Sequence, residues 1–87
     1  MMKEIIYTGN IIVSGCEIGF TCYLNENYMY MVRYSITDIF SQKTKDFYSP
    51  VSREFIDSSF GSYKVNSEVV LMFIKQDLFE RGENYDI

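Results

Sequence analysis

Residues 16–36, CEIGFTCYLNENYMYMVRYSI, decide the fold. Cys16, Ile18, Phe20, Cys22 and Leu24 fall at every second position, with Glu17, Gly19, Thr21 and Tyr23 between them. A strand turns successive side chains to opposite faces, so this alternation predicts a strand with one apolar face. After Asn25-Glu26-Asn27 the pattern resumes, Tyr28, Tyr30, Val32, Tyr34 and Ile36 alternating with Met29, Met31, Arg33 and Ser35. Asn tolerates left-handed backbone angles and favours turns, so the two strands are expected to form a hairpin.

A three-residue loop sets Leu24 opposite Tyr28, Cys22 opposite Tyr30, Phe20 opposite Val32, Ile18 opposite Tyr34 and Cys16 opposite Ile36. Slipping by one residue would set Arg33 opposite Phe20, and burial of the apolar set opposes that slip. The expected pairing also puts Glu17 diagonally beside Arg33 on the second face, where a charge pair contributes at most about 1 kcal/mol. That second face carries Thr21, Tyr23, Met29 and Met31. It is either covered by another element or exposed as a Tyr/Met patch of the kind interfaces favour.

Upstream, KEIIY and IIVSG read as two short strands joined through Thr8-Gly9-Asn10. Downstream, TDIFS and DFYSPV suggest a further hairpin around residues 42–45, and Ser49-Pro50 suits the start of a short helix reaching about Ser58, with Gly61 after its end. The segment NSEVVLMFIKQDLFERGE predicts a helix over 68–81: Asn66 or Ser67 caps it, Glu68 suits its positive end, Arg81 its negative end, and Gly82 terminates it. Val70, Leu71, Ile74 and Leu78 form the stripe that packs on the hairpin. Met72 and Phe79 point the other way, either under the loop of residues 41–61 or towards a partner. The tail, GENYDI, is expected to fray. The sum is a single α+β domain over 1–87, a small antiparallel meander packed against a C-terminal helix.

The absent residues are as informative as those present. The chain has no His, which removes the commonest general base near neutral pH and the commonest zinc ligand. Cys16 and Cys22 lie six positions apart on one strand, about 20 Å by the strand rise, too far to bridge or to share a metal, so they read as free thiols. Glycines occur singly, without a phosphate-cradling loop. No catalytic residue, metal or cofactor is expected, and the chain reads as non-enzymatic.

A net charge of −4 argues against duplex binding and favours a basic protein partner. Stacking of single-stranded nucleic acid on Phe20, Tyr28, Tyr30 and Tyr34 is the alternative, but those residues share the face the core requires. No apolar run is long enough to span a bilayer and no signal-type segment opens the chain, so a cytoplasmic protein is expected. There is no Ala, while Ile, Ser, Tyr and Asn are plentiful, a bias of AT-rich bacterial or phage coding.

In size and charge the chain is similar to small acidic phage proteins that inhibit host nucleases, many anti-CRISPR proteins among them; the similarity lies in those totals and in no motif. It implies docking on a basic, nucleic-acid-handling protein. Glu68, Asp77, Glu80, Glu83 and Asp86 would then supply charge, and Tyr23, Met29, Met31, Met72 and Phe79 apolar anchors. A generic adaptor or a homo-oligomeric structural subunit, such as a homodimer, is the other reading of the same surfaces.

Overall fold

Strand β1 (Met2–Val13), β2 (Cys16–Asn25), β3 (Tyr30–Asp38) and β4 (Thr44–Pro50) precede helix α1 (Arg53–Phe60) and helix α2 (Ser67–Glu80). The computed structural model describes residues 2–60 and 66–87. The strands form one antiparallel sheet in the order β1-β2-β3-β4, a meander in which each strand pairs with its neighbour in the chain. The expected α+β class and the helix at 68–81 are therefore observed, the helix one residue earlier at each end.

The alternation in β2 and β3 builds the core as expected. Ile18, Phe20, Cys22, Val32, Tyr34 and Ile36 are all buried on one face, joined by Phe47 of β4. Ile56 of α1 and Val70, Ile74 and Leu78 of α2 close over them, so both helices cover the same side of the sheet. Asn66 caps α2 through its side chain, which accepts from Val69 N–H at 3.3 Å. At the other end Gly82, at φ 75°, lets its own N–H reach Phe79 C=O and Glu83 N–H reach Leu78 C=O, a Schellman closure.

The hairpin register differs from the expected one by two residues. Leu24 faces Tyr30, Cys22 faces Val32, Phe20 faces Tyr34, Ile18 faces Ile36 and Cys16 faces Asp38. A two-residue slip leaves every side chain on its expected face, so the apolar pattern is satisfied equally by either pairing. The loop decides. The Asn25 side chain accepts from Asn27 N–H and Met29 N–H, both at 2.9 Å, and Tyr28 takes a left-handed φ of 59°, which closes a longer turn. Glu17 consequently faces Thr37 and not the neighbourhood of Arg33, whose charge partner is Asp46 on β4.

Three further expectations are corrected. The segments KEIIY and IIVSG are one strand, β1, and Thr8-Gly9-Asn10 is not a turn. Gly9 serves packing there: a Cβ would lie 2.9 Å from the Tyr7 ring and 3.0 Å from that of Phe20. The first helix starts at Arg53 and not at Ser49-Pro50, which end β4; Ser52 caps it by accepting from Phe55 N–H. Its expected stop at Gly61 lies outside the described residues. Finally, the tail does not fray. Tyr85 packs edge-on against Phe47 with ring centroids 6.5 Å apart, Ile87 rests on the core, and Glu83 pairs with Lys45.

Candidate protein-binding surfaces

The strand registers arrange the uncovered face of the sheet in four transverse rows. Ile5, Tyr23, Met31 and Pro50 form an apolar row at one end. Thr8, Thr21, Arg33 and Tyr48 come next, then Asn10, Gly19, Ser35 and Asp46, and finally Ile12, Glu17, Thr37 and Thr44. Neither helix contributes to this side. Ile5 and Tyr48 are 60% and 52% exposed, whereas Tyr23, flanked by Ile5 and Met31, is only 7% exposed. Tyr23 is thus the floor of the apolar row and not a protruding anchor; Met31 is half-buried beside it. Met29 lies outside the strands in the turn after β2 and is exposed.

Polar groups on this face are mostly paired with one another. Ser35 Oγ donates to Asp46, Arg33 Nη2 lies 3.9 Å from Asp46 Oδ2, and the Arg33 guanidinium stands 5.8 Å from the Tyr48 ring centroid. Arg33 Nε is buried with no hydrogen-bond partner among the described residues. A shallow cavity of about 200 Å³ opens beside it, lined by Thr8, Asn10, Thr21 and Ser35. It exists because Gly19 brings no side chain to this face; a Cβ would meet Asn10 Oδ1 at 3.1 Å.

The second surface is on α2. Val70, Ile74 and Leu78 satisfy the core, yet Met72 and Phe79, seven residues apart and on the opposite side, are 70% and 79% exposed. They do not pack under the loop of residues 41–61. Glu68 and Glu80 are exposed on the same helix, and Asp86 is exposed in the tail. The tail folds back beside the end of α2 and leaves a hollow of about 250 Å³ bounded by Lys75, Phe79, Glu83, Tyr85 and Ile87.

Two of the expected charges are engaged inside the molecule. Asp77 accepts from the buried Tyr34 hydroxyl and from Arg81 Nε at 2.7 Å, and Arg81 Nη2 in turn donates to the backbone carbonyl of Tyr48. Glu83 is paired with Lys45. Asp77 and Glu83 therefore fasten α2 and the tail to β3 and β4; of the expected charges, Glu68, Asp86 and Glu80, which accepts from Gln76 Nε2 at 3.1 Å, have no cationic partner among the described residues. The expected site residues do not converge. Tyr23, Met29 and Met31 belong to the sheet side, while Met72, Phe79, Glu68, Glu80 and Asp86 belong to the helix side. The aromatics considered for base stacking are no platform either, since Phe20 and Tyr34 are buried in the core and Tyr30 is half-buried against it.

Burial raises the Cys22 thiol from 9.0 to about 12, and burial with the Asp77 hydrogen bond likewise raises the Tyr34 hydroxyl, so both keep their protons at neutral pH. The hydrogen bond to Glu83 raises Lys45, and that to Asp77 raises Arg81, so both cations stay charged. Both cysteines are free thiols. Among the described residues no three His, Cys, Asp or Glu side chains gather as metal ligands, and no helix is long and apolar enough to cross a membrane.

The exposed Ile5 and Tyr48 were not evident as surface residues from sequence. Ile5 is one of two consecutive isoleucines beside a bulge, which hides its face, and Tyr48 sits in a strand whose alternation is blurred by the buried Ser49. Comparison with known protein families, with curated proteins and with solved structures finds no match.

Proposed function

We propose that the chain is a non-enzymatic protein-binding module that docks through the outer face of α2 on a basic, nucleic-acid-handling protein. The observation that carries this reading is a helix with two apolar faces: one covers the sheet, and the other leaves Met72 and Phe79 bare. A solvent-facing helix side ordinarily carries polar residues. Exposed Glu68 and Glu80 on the same helix, with Asp86 nearby and a net charge of −4, fit a positively charged partner. In this reading the acidic groups speed encounter while Met72 and Phe79 slow release.

Such a protein acts by occupying the groove of its target, as a phage or mobile-element inhibitor of a host nuclease of the anti-CRISPR kind would, in the cytoplasm. The adaptor reading draws on a different observation, the uncovered sheet face with its Ile5, Tyr23, Met31 and Pro50 row.

A photo-crosslinking side chain placed at Phe79, and separately at Tyr48, distinguishes them. A covalent adduct to one basic protein from position 79 alone, weakened by salt, supports docking through α2. The Met72→Ala/Phe79→Ala variant should then melt as the wild type does, yet bind that protein at least about tenfold more weakly, since central anchors contribute about 1–2 kcal/mol each. Adducts from position 48 alone would transfer the function to the sheet face, and recovery of nucleic acid in place of a protein would refute docking on a protein.

A further inference from the structure

The two edges of the sheet are unlike each other. β4 is blunted: Pro50 has no N–H, Arg81 donates to the Tyr48 carbonyl, and Lys43 and Lys45 bring charge to it. β1 has Lys3 and Glu4 at its start and bulges between Met2 and Glu4 and between Ile5 and Tyr7, but from Ile5 through Cys16 it carries no charged residue and no proline. Its hydrogen-bonding groups can be assigned from the turn that follows. Ser14 and Gly15 have φ of 49° and 76°, the signature of a two-residue hairpin link, so the flanking Val13 and Cys16 exchange backbone bonds. Alternation along the ladder then turns the N–H and C=O of Thr8, Asn10 and Ile12 away from β2. Among the described residues no strand receives them, because β1 ends the sheet. A long uncharged edge of this kind is a template for another strand.

We infer that this edge pairs with β1 of a second copy of the chain, antiparallel about a two-fold axis at Gly9, so that two sheets become one. The sequence of β1 is complementary to itself in that register. Thr8 and Asn10 of one copy exchange backbone bonds with Asn10 and Thr8 of the other, and Tyr7 meets Ile11. The bulge between Ile5 and Tyr7 inserts a residue, which brings Ile5 opposite Ile12 on the outer face. These two are 60% and 74% exposed in the single chain. Gly9 lies where the two backbones approach most closely, at a non-bonded pair separated by about 4.5 Å. No like charges oppose each other within the paired segment.

A foreign strand would satisfy the backbone equally well, but the matches of Ile5 with Ile12 and Tyr7 with Ile11 belong to this sequence set against itself. One strand edge is smaller than a standard protein interface, so a weak, reversible association is expected. Each copy carries −4, so salt should strengthen the association by screening the repulsion between copies. The pairing leaves the outer face of α2 free and does not depend on docking there.

Sedimentation velocity from low micromolar to millimolar protein, at low and moderate salt, tests it. A reversible dimer favoured by salt is expected, with amide exchange at Thr8 and Asn10 slowing as concentration rises. Asn10→Pro removes one outward N–H, a change an edge strand tolerates, and Ile12→Lys sets a charge into the junction. Each should weaken dimerisation at least about tenfold with an unchanged far-UV spectrum; if Asn10→Pro does not fold, Ile12→Lys decides. Met72→Ala/Phe79→Ala should dimerise as the wild type does. A chain monomeric at every concentration, a dimer that survives Ile12→Lys, or one abolished by the α2 variant would overturn the inference.

Discussion

Replacing Tyr34 by Phe isolates a single hydrogen bond at the junction of helix and sheet. The ring remains stacked on Phe47, 5.1 Å between centroids with 22° between planes, so only the hydroxyl is lost. That hydroxyl is fully buried and donates to the Asp77 carboxylate. Bonds to a charged acceptor contribute about 1.5–3 kcal/mol, and Asp77 keeps Arg81 as a partner, so Tyr34→Phe should cost about 2 kcal/mol. Asp77→Ala strands the buried phenol instead, at about 1–3 kcal/mol, and removes a partly exposed ion pair contributing about 0.5 kcal/mol. Both single changes destroy the same bond, so the double variant should cost less than their sum by about 1–2 kcal/mol. Urea titrations of the wild type and the three variants measure all corners of the cycle. With a slope of about 1 kcal/mol/M, the Tyr34→Phe midpoint should fall by more than about 1 M. Additive single costs, or a Tyr34→Phe protein within about 0.3 kcal/mol of the wild type, would refute the reasoning.

The face assignment predicts that Val32→Asp, at a fully buried position, prevents folding, whereas Thr37→Lys on the open face stays within about 0.5 kcal/mol of the wild type by thermal melting; equal tolerance of the two would contradict it. Cys22 gives a pH dependence with a definite sign. Its thiol is raised from 9.0 to about 12, so the folded chain holds a proton that the unfolded chain releases; stability is intact below about pH 9 and falls between there and about pH 12, by at most about 1.4 kcal/mol per pH unit. Tyr34, raised from 10.0, acts in the same direction at higher pH. Cys22→Ala should flatten the decline between pH 9 and 10, and a thiol reagent should modify the half-buried Cys16 in the native protein while reaching Cys22 only on unfolding; an equal slope in the variant, or equal reactivity, would count against this.

The faces of β2 and β3 were readable from alternation alone, because a period of two can be buried in only one way. Their register was not, because a shift of two residues preserves every face, and the choice rests on the Asn25 side chain bonding within its own loop. Gly9 misled for a related reason. Between two apolar runs a glycine ordinarily marks a turn, but here its lack of a side chain makes room for the Tyr7 and Phe20 rings, a contact between strands that local sequence does not contain. Helix α2 was legible because its caps are local. Its bare face was legible only as a pair of residues, Met72 and Phe79, whose exposure depends on where residues 41–60 run. The same holds for charge: Asp77 and Glu83 read as surface carboxylates, and only the fold shows them spent on Tyr34, Arg81 and Lys45.

The meander order has a bearing on how the molecule comes into being. Each strand bonds to the one made just before it, across links of a few residues, so every step closes a short loop at little entropic cost. The contacts of α2 and the tail are of another kind: Tyr34 waits 43 residues for Asp77, and Lys45 waits 38 for Glu83. During synthesis the sheet can therefore be complete while the helix that covers it is still being made. Its Ile, Val and Phe face then stands open to water and to neighbouring chains for as long as translation takes to deliver α2. The speed of the ribosome over residues 51–80 sets how long that face is exposed.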